Sequence, residues 1–351
     1  MNSFPARDAQ RRAFLSEADF TDSRLVPMQQ DASSRRYFRL DDGEHGWLLM
    51  DAPPQTENLT AWLDVGKHLT DLGLRPPAVL RSDVTHGFAL IEDFGDQTFT
   101  RLLDAGVAPD ELYAQAIDLL IHLHRQPNTF LDELKPYDFD ALMAEAILLP
   151  DWFLPLIFSK PITAEDRNRY RQIWEQVFAS LPTPAISLVL RDFHVDNLIR
   201  LPAATAPHTV GLLDFQDALI GPMAYDLMSL LEDARRDLPP SLAEQMQRRY
   251  FQAMPLLEME NFKLWYRILA AQRHCKVAGV FSRLALRDNK PNYLAHIPRV
   301  LRLLQMHLDE PLLRPLADWL RTHGIAGDPP EIPADYRSIR RALNLGDGAT
   351  D

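Results

Sequence analysis

The chain has 351 residues, 46% of them apolar, with 37 basic side chains against 49 acidic ones for a net charge of −12. That length suits two lobes better than one core. A negative chain without a dense Lys/Arg block argues against a nucleic-acid partner, whose binding rests on phosphate neutralisation, and the single cysteine, Cys275, excludes an internal disulfide.

No Cys/His cluster has zinc spacing, and the first twenty residues lack the apolar core of a secretory signal. The longest apolar runs, such as Trp152 to Phe158, are too short to cross a bilayer. The expectation is a cytoplasmic protein with a small-molecule substrate, no membrane association and no obligate protein partner.

Residues 7 to 18 read as a short amphipathic helix. Strand texture follows at 35–40 (R-R-Y-F-R-L), 46–51 (G-W-L-L-M-D), 78–82 and 87–92 (G-F-A-L-I-E). Among these strands the spacing predicts a helix over 58–72, with Leu59, Trp62, Leu63, Gly66 and Leu69 on one stripe and Asp64, Lys67 and Asp71 opposite. After Gly95 the chain turns helical. Asp110 and Glu111 give the helix from Pro109 an acidic first turn. Thr163 to Asp166 and Ser241 to Glu244 have capping-box spacing before further helices, and helical patterns continue over 258–286, 296–307, 311–323 and 334–345. The fold class expected is α+β and two-lobed: a small β-rich lobe over 1–95 and a larger, mostly helical lobe over 96–351. Inside the helical half sits a strand-rich island at 186–217, read as a β-hairpin that presents something, since it is too small to form a core.

That island carries the chemistry. Its apolar runs deliver Asp192 and Asp214, and Asn197 lies five residues after the first. Phosphoryl transfer needs a carboxylate to orient and deprotonate a hydroxyl, oxygen ligands for magnesium, and positive charge on the phosphates. One carboxylate and one amide oxygen suit Mg2+, which keeps several waters. A bare D-x-x-x-x-N is common, and Asp192 and Asn197 could instead fix turns. The second apolar run ending in Asp sharpens the pattern.

With L-R-D-F-H-V-D-N and L-L-D-F-Q-D-A-L-I-G-P-M-A-Y-D-L, the chain resembles the aminoglycoside phosphotransferase and choline-kinase-like superfamily, whose core reads H-G-D-x-H-x-x-N followed by an I-D-W/F segment. The finer texture (S-S-R-R-Y-F-R-L, W-L-L-M-D-A-P-P, L-I-E-D-F-G-D and A-A-Q-R-H-C-K-V-A-G-V-F-S-R-L) is similar to the cell-wall amino-sugar kinases that act at C1. The resemblance implies a protein-kinase-like fold, ATP and Mg2+ as cofactors, Asp192 as catalytic base, and Asn197 and Asp214 as metal ligands. It implies phosphorylation of the anomeric hydroxyl of N-acetylmuramate and N-acetylglucosamine in peptidoglycan recycling. Other readings are a kinase for an aminoglycoside or choline, or an ATP-binding pseudokinase that acts through a partner. His194 is either a substrate contact or a brace, Asp217 an acceptor-site or turn residue, and Asp226 a tie between the following helix and the loop.

Two positions depart from the family pattern. Leu190 stands where a histidine usually precedes the catalytic Asp, and Met50 stands near the place of the phosphate-binding strand lysine. Lys67 lies on a charged helix face and is a poor substitute. Arg35, Arg36 and Arg39, beside the turn containing Ser33 and Ser34, are the better candidates for neutralising the triphosphate, Arg35 or Arg36 first, the alternative being solvated strand-edge arginines. Glu92 and Phe94, in the connector L-I-E-D-F-G, are expected at the adenine edge through their backbone. Arg273, three residues before Lys276, is a candidate for an anionic group on the sugar.

Overall fold

In the computed structural model, which describes residues 4–28, 34–41, 46–126, 134–201, 208–325, 327, 330–343 and 345, helix α1 (Phe4–Glu17) leads into strands β1 (Arg24–Pro27), β2 (Arg36–Asp41) and β3 (Trp47–Asp51). Helix α2 (Leu59–Asp71), β4 (Val79–Asp83) and β5 (Phe88–Glu92) follow, then α3 (Phe99–Asp104), α4 (Pro109–Arg125), α5 (Phe139–Ala146), α6 (Leu154–Phe158) and α7 (Ala164–Ala179). Four short strands, β6 (Ile186–Val189), β7 (Leu198–Arg200), β8 (Val210–Leu212) and β9 (Leu219–Pro222), interrupt the helices. These resume as α8 (Ala224–Leu231), α9 (Pro240–Ala253), α10 (Met259–Leu286), α11 (Ile297–Gln305), α12 (Arg314–Thr322) and α13 (Tyr336–Ala342). The chain divides into two compact units: Met1–Leu131 with Asp192–Ala218, and Asp132–Arg191 with Leu219–Asp351.

The first unit is built on an antiparallel sheet in the order β1-β2-β3-β5-β4. Strand alternation gives β3 two different faces. Leu49 turns toward α1 and packs with Phe14, Leu15, Leu40, Phe88 and Leu90. Asp51, on that same face and almost fully buried, accepts from Arg7 Nε and Arg11 Nη2, each at 2.9 Å. A buried carboxylate is tolerable only when so paired. Met50 points the other way and is wholly buried.

Helix α2 starts where Asn58 Oδ1 accepts from Ala61 N at 3.1 Å, the side-chain cap that satisfies an otherwise orphaned donor. It buries Leu59, Trp62, Val65, Gly66 and Leu69, with Val65 taking the place expected for Leu63. Trp62 packs its ring 5.1 Å from that of Phe215, and Gly66 leaves no room for a Cβ beyond contact distance with the same ring. The segment just after Asp214 is thereby held against α2.

The strand-rich island is not one hairpin. β7 pairs with β8 (Leu198 opposite Leu212) in the first unit, whereas β6 pairs with β9 (Val189 opposite Leu219) in the second. The apolar runs 188–190 and 210–213 therefore lie in separate ladders, since strand composition does not name a partner. Bridges from Arg75 to Gly211 and from Thr98 to Ile199 tie the β7–β8 ladder into the first unit.

The second unit centres on α10, packed among α5, α7, α11 and α12. Phe139–Phe158 forms one helical run of 20 residues, apolar and long enough by composition to cross a membrane, where sequence suggested only shorter apolar pieces. Half of it is buried inside the unit, and Glu145 within it carries the polar network described below. Helix α9 begins at Pro240 without a side-chain cap, so the box expected at Ser241 is not formed. The pair Pro239-Pro240 starts the helix two residues earlier than a cap at Ser241 would, because proline already holds a helical φ at the first position.

At the C-terminal end of α8, Glu232 accepts from His274 Nε2 at 2.7 Å and from His307 Nε2 at 2.9 Å, and all three are buried. Burial opposes the charge of Glu232, but these two hydrogen bonds outweigh it and hold its pKa at about 2. The three ligand-type atoms lie within 4.8 Å of one another. Their separations are hydrogen-bond distances, and Nδ1 of His274 is buried with no partner among the described residues. A metal-bound imidazole normally has that second nitrogen fixed, so the cluster is a hydrogen-bonded brace.

Candidate active site

The loop that leads to Asp192 leaves β6 through Leu190 and Arg191. Asp226, in the first turn of α8 and 1% exposed, takes the N–H of Leu190 on Oδ2 at 2.6 Å and that of Arg191 on Oδ1 at 3.0 Å. Arg191 has φ +66°, a left-handed conformation that a non-glycine residue holds only when its surroundings impose it. Its side chain supplies a second anchor. The guanidinium bonds Glu145, which also accepts from Lys276 Nζ at 2.8 Å and from the Tyr137 hydroxyl. Burial would raise the Glu145 pKa, but the charges of Lys276 and Arg191 override it and lower it. Where the family pattern has a histidine at the position of Leu190, this chain secures the loop through Asp226 and the Arg191–Glu145–Lys276 network.

From Asp192 to Asn197 the chain makes a tight turn. Asn197 Nδ2 donates to the Asp192 carbonyl at 3.0 Å and lies 3.4 Å from His194 Nε2, while its backbone N–H donates to the His194 carbonyl at 3.0 Å. Because the amide nitrogen is turned to these acceptors, Oδ1 is the atom left for a cation. Thr100 bonds Asp196 and anchors α3 to the same turn. The Leu213 N–H donates to the Asn197 carbonyl at 2.9 Å, which sets Asn197 beside the residue before Asp214.

Asp214 also has a positive φ, +55°. Its Oδ1 accepts from Arg35 Nη2 at 2.6 Å and from Gln216 Nε2 at 3.1 Å, and its side chain is 41% exposed. Oδ2 makes no hydrogen bond among the described residues. An amide oxygen and a carboxylate oxygen, both unspent, are the donor chemistry that a hard divalent cation takes.

Arg35 is buried, with Nη1 donating to Gln216 Oε1 at 2.6 Å and Nε 3.4 Å from Glu57 Oε2. Burial works against its charge, yet Tyr37, Asp214 and Glu57 push its pKa above the ordinary value. Tyr37 stands directly opposite Met50 across β2 and β3, so Arg35, two residues earlier, continues the face on which Met50 lies. Arg36 stands opposite Asp51, on the other face, and is exposed. Lys67 is exposed and paired with Asp71 at 2.6 Å. Ser33 lies outside the described residues, and Ser34 donates its N–H to Glu57 Oε1 at 3.0 Å.

Glu92, at the end of β5, bonds Arg75 at 2.7 Å and the Ala78 N–H at 3.1 Å. The Phe94 ring lies over Gly211 of β8. Asp217 is exposed and accepts from Gln216 at 3.2 Å. Arg273 belongs to the second unit, where it is buried and donates to the Tyr225 hydroxyl at 3.3 Å. The first unit thus brings Asp192, His194, Asn197, Asp214 and Arg35 together with Gln216 and Glu57, two residues that sequence reading passes over. Glu57 directly precedes a helix cap and Gln216 follows the D-F pair, and neither position signals a role by itself.

Residues 24–265 match the model of a phosphotransferase enzyme family. The chain is 34% identical to an N-acetylmuramate/N-acetylglucosamine kinase of Caulobacter vibrioides, over 89% of this chain and 95% of that one. It is 35% identical to a Pseudomonas aeruginosa kinase of the same name, over 80% and 82% of the two chains. Among solved structures, ADP-bound aminoglycoside phosphotransferase APH(2'')-Ib shares the fold with a TM-score of 0.55 at 16% identity, over 87% of this chain and 99% of that one.

Proposed function

The chain belongs to the phosphotransferase enzyme family, and from that premise we propose that it transfers the γ-phosphoryl group of ATP to the anomeric hydroxyl of N-acetylmuramate and N-acetylglucosamine, in peptidoglycan recycling. Asp192 is the base. Its carboxylate takes the hydroxyl proton as the sugar oxygen bonds the γ-phosphorus and the bond from that phosphorus to the ADP oxygen breaks. Asn197 and Asp214 hold Mg2+, which when bound neutralises charge on the phosphate oxygens. Arg35 adds a fixed guanidinium on the Met50 side of the sheet. Glu92 and Phe94 border the adenine through backbone groups, and Ser34, at the entrance to β2, lies beside the phosphates. His194, lying against Asn197, braces the loop.

The observation that carries this reading is the hydrogen bond from Leu213 N–H to the Asn197 carbonyl, 2.9 Å, which supports joining the Asp192–Asn197 turn to the Asp214 segment in one centre. The names of the relatives support the choice of sugar. A pseudokinase is favoured only by Met50 at the lysine position, and Arg35 answers that gap.

The test is ADP release with ATP and Mg2+ against N-acetylmuramate, N-acetylglucosamine, an aminoglycoside and choline. The two amino sugars should dominate in kcat/KM. Preference for the aminoglycoside or choline would overturn the substrate assignment, and ATP binding without turnover of any acceptor would overturn the kinase reading.

A further inference from the structure

We infer that Glu57 is the positioning residue for the phosphate-facing cation, Arg35, at the entrance to β2, which takes over the task of a lysine at the position of Met50. The inference rests on the phosphotransferase reading and deepens it.

Met50, at the place of the strand lysine, carries no charge and cannot neutralise a phosphate. The β2–β3 register puts Arg35 on the face of Met50, with its guanidinium fork turned to Asp214 and Gln216 at 2.6 Å each. A long, rotamer-rich arginine is useful beside a triphosphate only if it is held ready. Glu57 forms an ion pair with it and accepts a hydrogen bond from the residue before it. Its Oε2 lies 3.4 Å from Arg35 Nε, and its Oε1 accepts the Ser34 N–H at 3.0 Å, fixing the backbone at the entrance to β2. With Nε facing the carboxylate, the two terminal nitrogens are aimed at Gln216 and at Asp214, the carboxylate proposed to hold the cation beside the phosphates. The Glu57 side chain is 16% exposed, which screens the pair less than a surface pair would be. Other cations of this sheet and helix are placed elsewhere. Arg36 is on the opposite face, Arg39 bonds Asp93 and Asp96, and Lys67 pairs with Asp71 in solvent.

The experiment is calorimetric titration of ATP with Mg2+, in the absence of sugar, into the wild-type chain, Glu57→Gln, Arg35→Ala and the double variant. Glu57→Gln should weaken ATP about tenfold, Arg35→Ala at least as much, and the double variant no more than Arg35→Ala alone. Glu57→Asp should recover part of the loss. A merely structural Glu57 would change the unfolding midpoint without this non-additive pattern in affinity. If Arg35→Ala weakens ATP while Glu57→Gln does not, or if the two losses add, the positioning role is overturned and the cation assignment stands. If Arg35→Ala binds ATP like the wild type, the cation assignment is overturned and the inference with it.

Discussion

Asp226→Asn removes one oxygen from a site that uses two. The carboxylate takes the N–H of Leu190 at 2.6 Å and of Arg191 at 3.0 Å in a position 1% exposed to solvent. An amide keeps one acceptor and turns an NH2 group toward the other backbone N–H, so one buried donor loses its partner and meets another donor. Each hydrogen bond to a charged group contributes on the order of 1.5–3 kcal/mol, and leaving a buried donor unpaired costs a similar amount. A loss of about 3 kcal/mol in the free energy that holds the loop corresponds to roughly a hundredfold in its population. Arg191 has φ +66°, a conformation that relaxes once its N–H is released, and Asp192 is the next residue. We expect kcat to fall by about two orders of magnitude with ATP affinity unchanged, because Arg35, Asn197 and Asp214 do not bond Asp226. Steady-state kinetics with either amino sugar, calorimetric ATP binding and circular dichroism together read this out. A folded variant with kcat within about twofold of the wild type would refute the role of Asp226 in holding the loop.

Restoring a strand lysine should compensate for the missing arginine: Met50→Lys in an Arg35→Ala background should recover part of the lost ATP affinity, and no recovery in a folded double variant would contradict the shared-face reasoning. Gly211→Ala would bring a Cβ to 2.7 Å from the Phe94 ring, so the ring must shift. KM for ATP should rise about threefold or more with kcat little changed, and an unaltered KM would separate Phe94 from the nucleotide. The Glu232 brace gives the fold an acid sensitivity. Its pKa is held at about 2 in the folded chain against 4.5 in the unfolded one, so its contribution is full above pH 4.5 and is lost as pH falls toward 2. The shift corresponds to roughly 3 kcal/mol. His274, whose pKa burial lowers, acts in the same direction, since the unfolded chain gains a proton first as pH falls below 6.5. Urea unfolding of wild type and Glu232→Gln should show a stability gap that narrows from pH 5 to pH 3, and a constant gap would contradict the linkage.

The spacing proposed as catalytic is local, and so legible in the sequence. Asp192 and Asn197 share one turn, the run that ends at Asp214 follows nearby, and the family match bears out the resemblance read in that core. The choice among Arg35, Arg36 and Arg39 was not readable in the same way. The register with β3 puts Arg36 on the other face, and Arg39, on the same face as Arg35, is set apart only by its distant partners Asp93 and Asp96. Strand β1 escaped notice because its four residues are mostly exposed and show no apolar alternation. The helical run at 139–158 was hidden by Pro150 and Pro155, which read as breaks but sit at first-turn positions. The Glu145 network joins residues 137, 145, 191 and 276, so no window of sequence displays it.

The central claim is that Asp192 deprotonates the anomeric hydroxyl of an amino sugar. Phosphorus NMR of N-acetylmuramate incubated with ATP, Mg2+ and either the wild-type chain or Asp192→Asn tests it most directly. The expected result is a sugar 1-phosphate formed by the wild type and not by Asp192→Asn, although the variant still binds ATP. A product phosphorylated at another hydroxyl, or a 1-phosphate formed at an undiminished rate by Asp192→Asn, would contradict it.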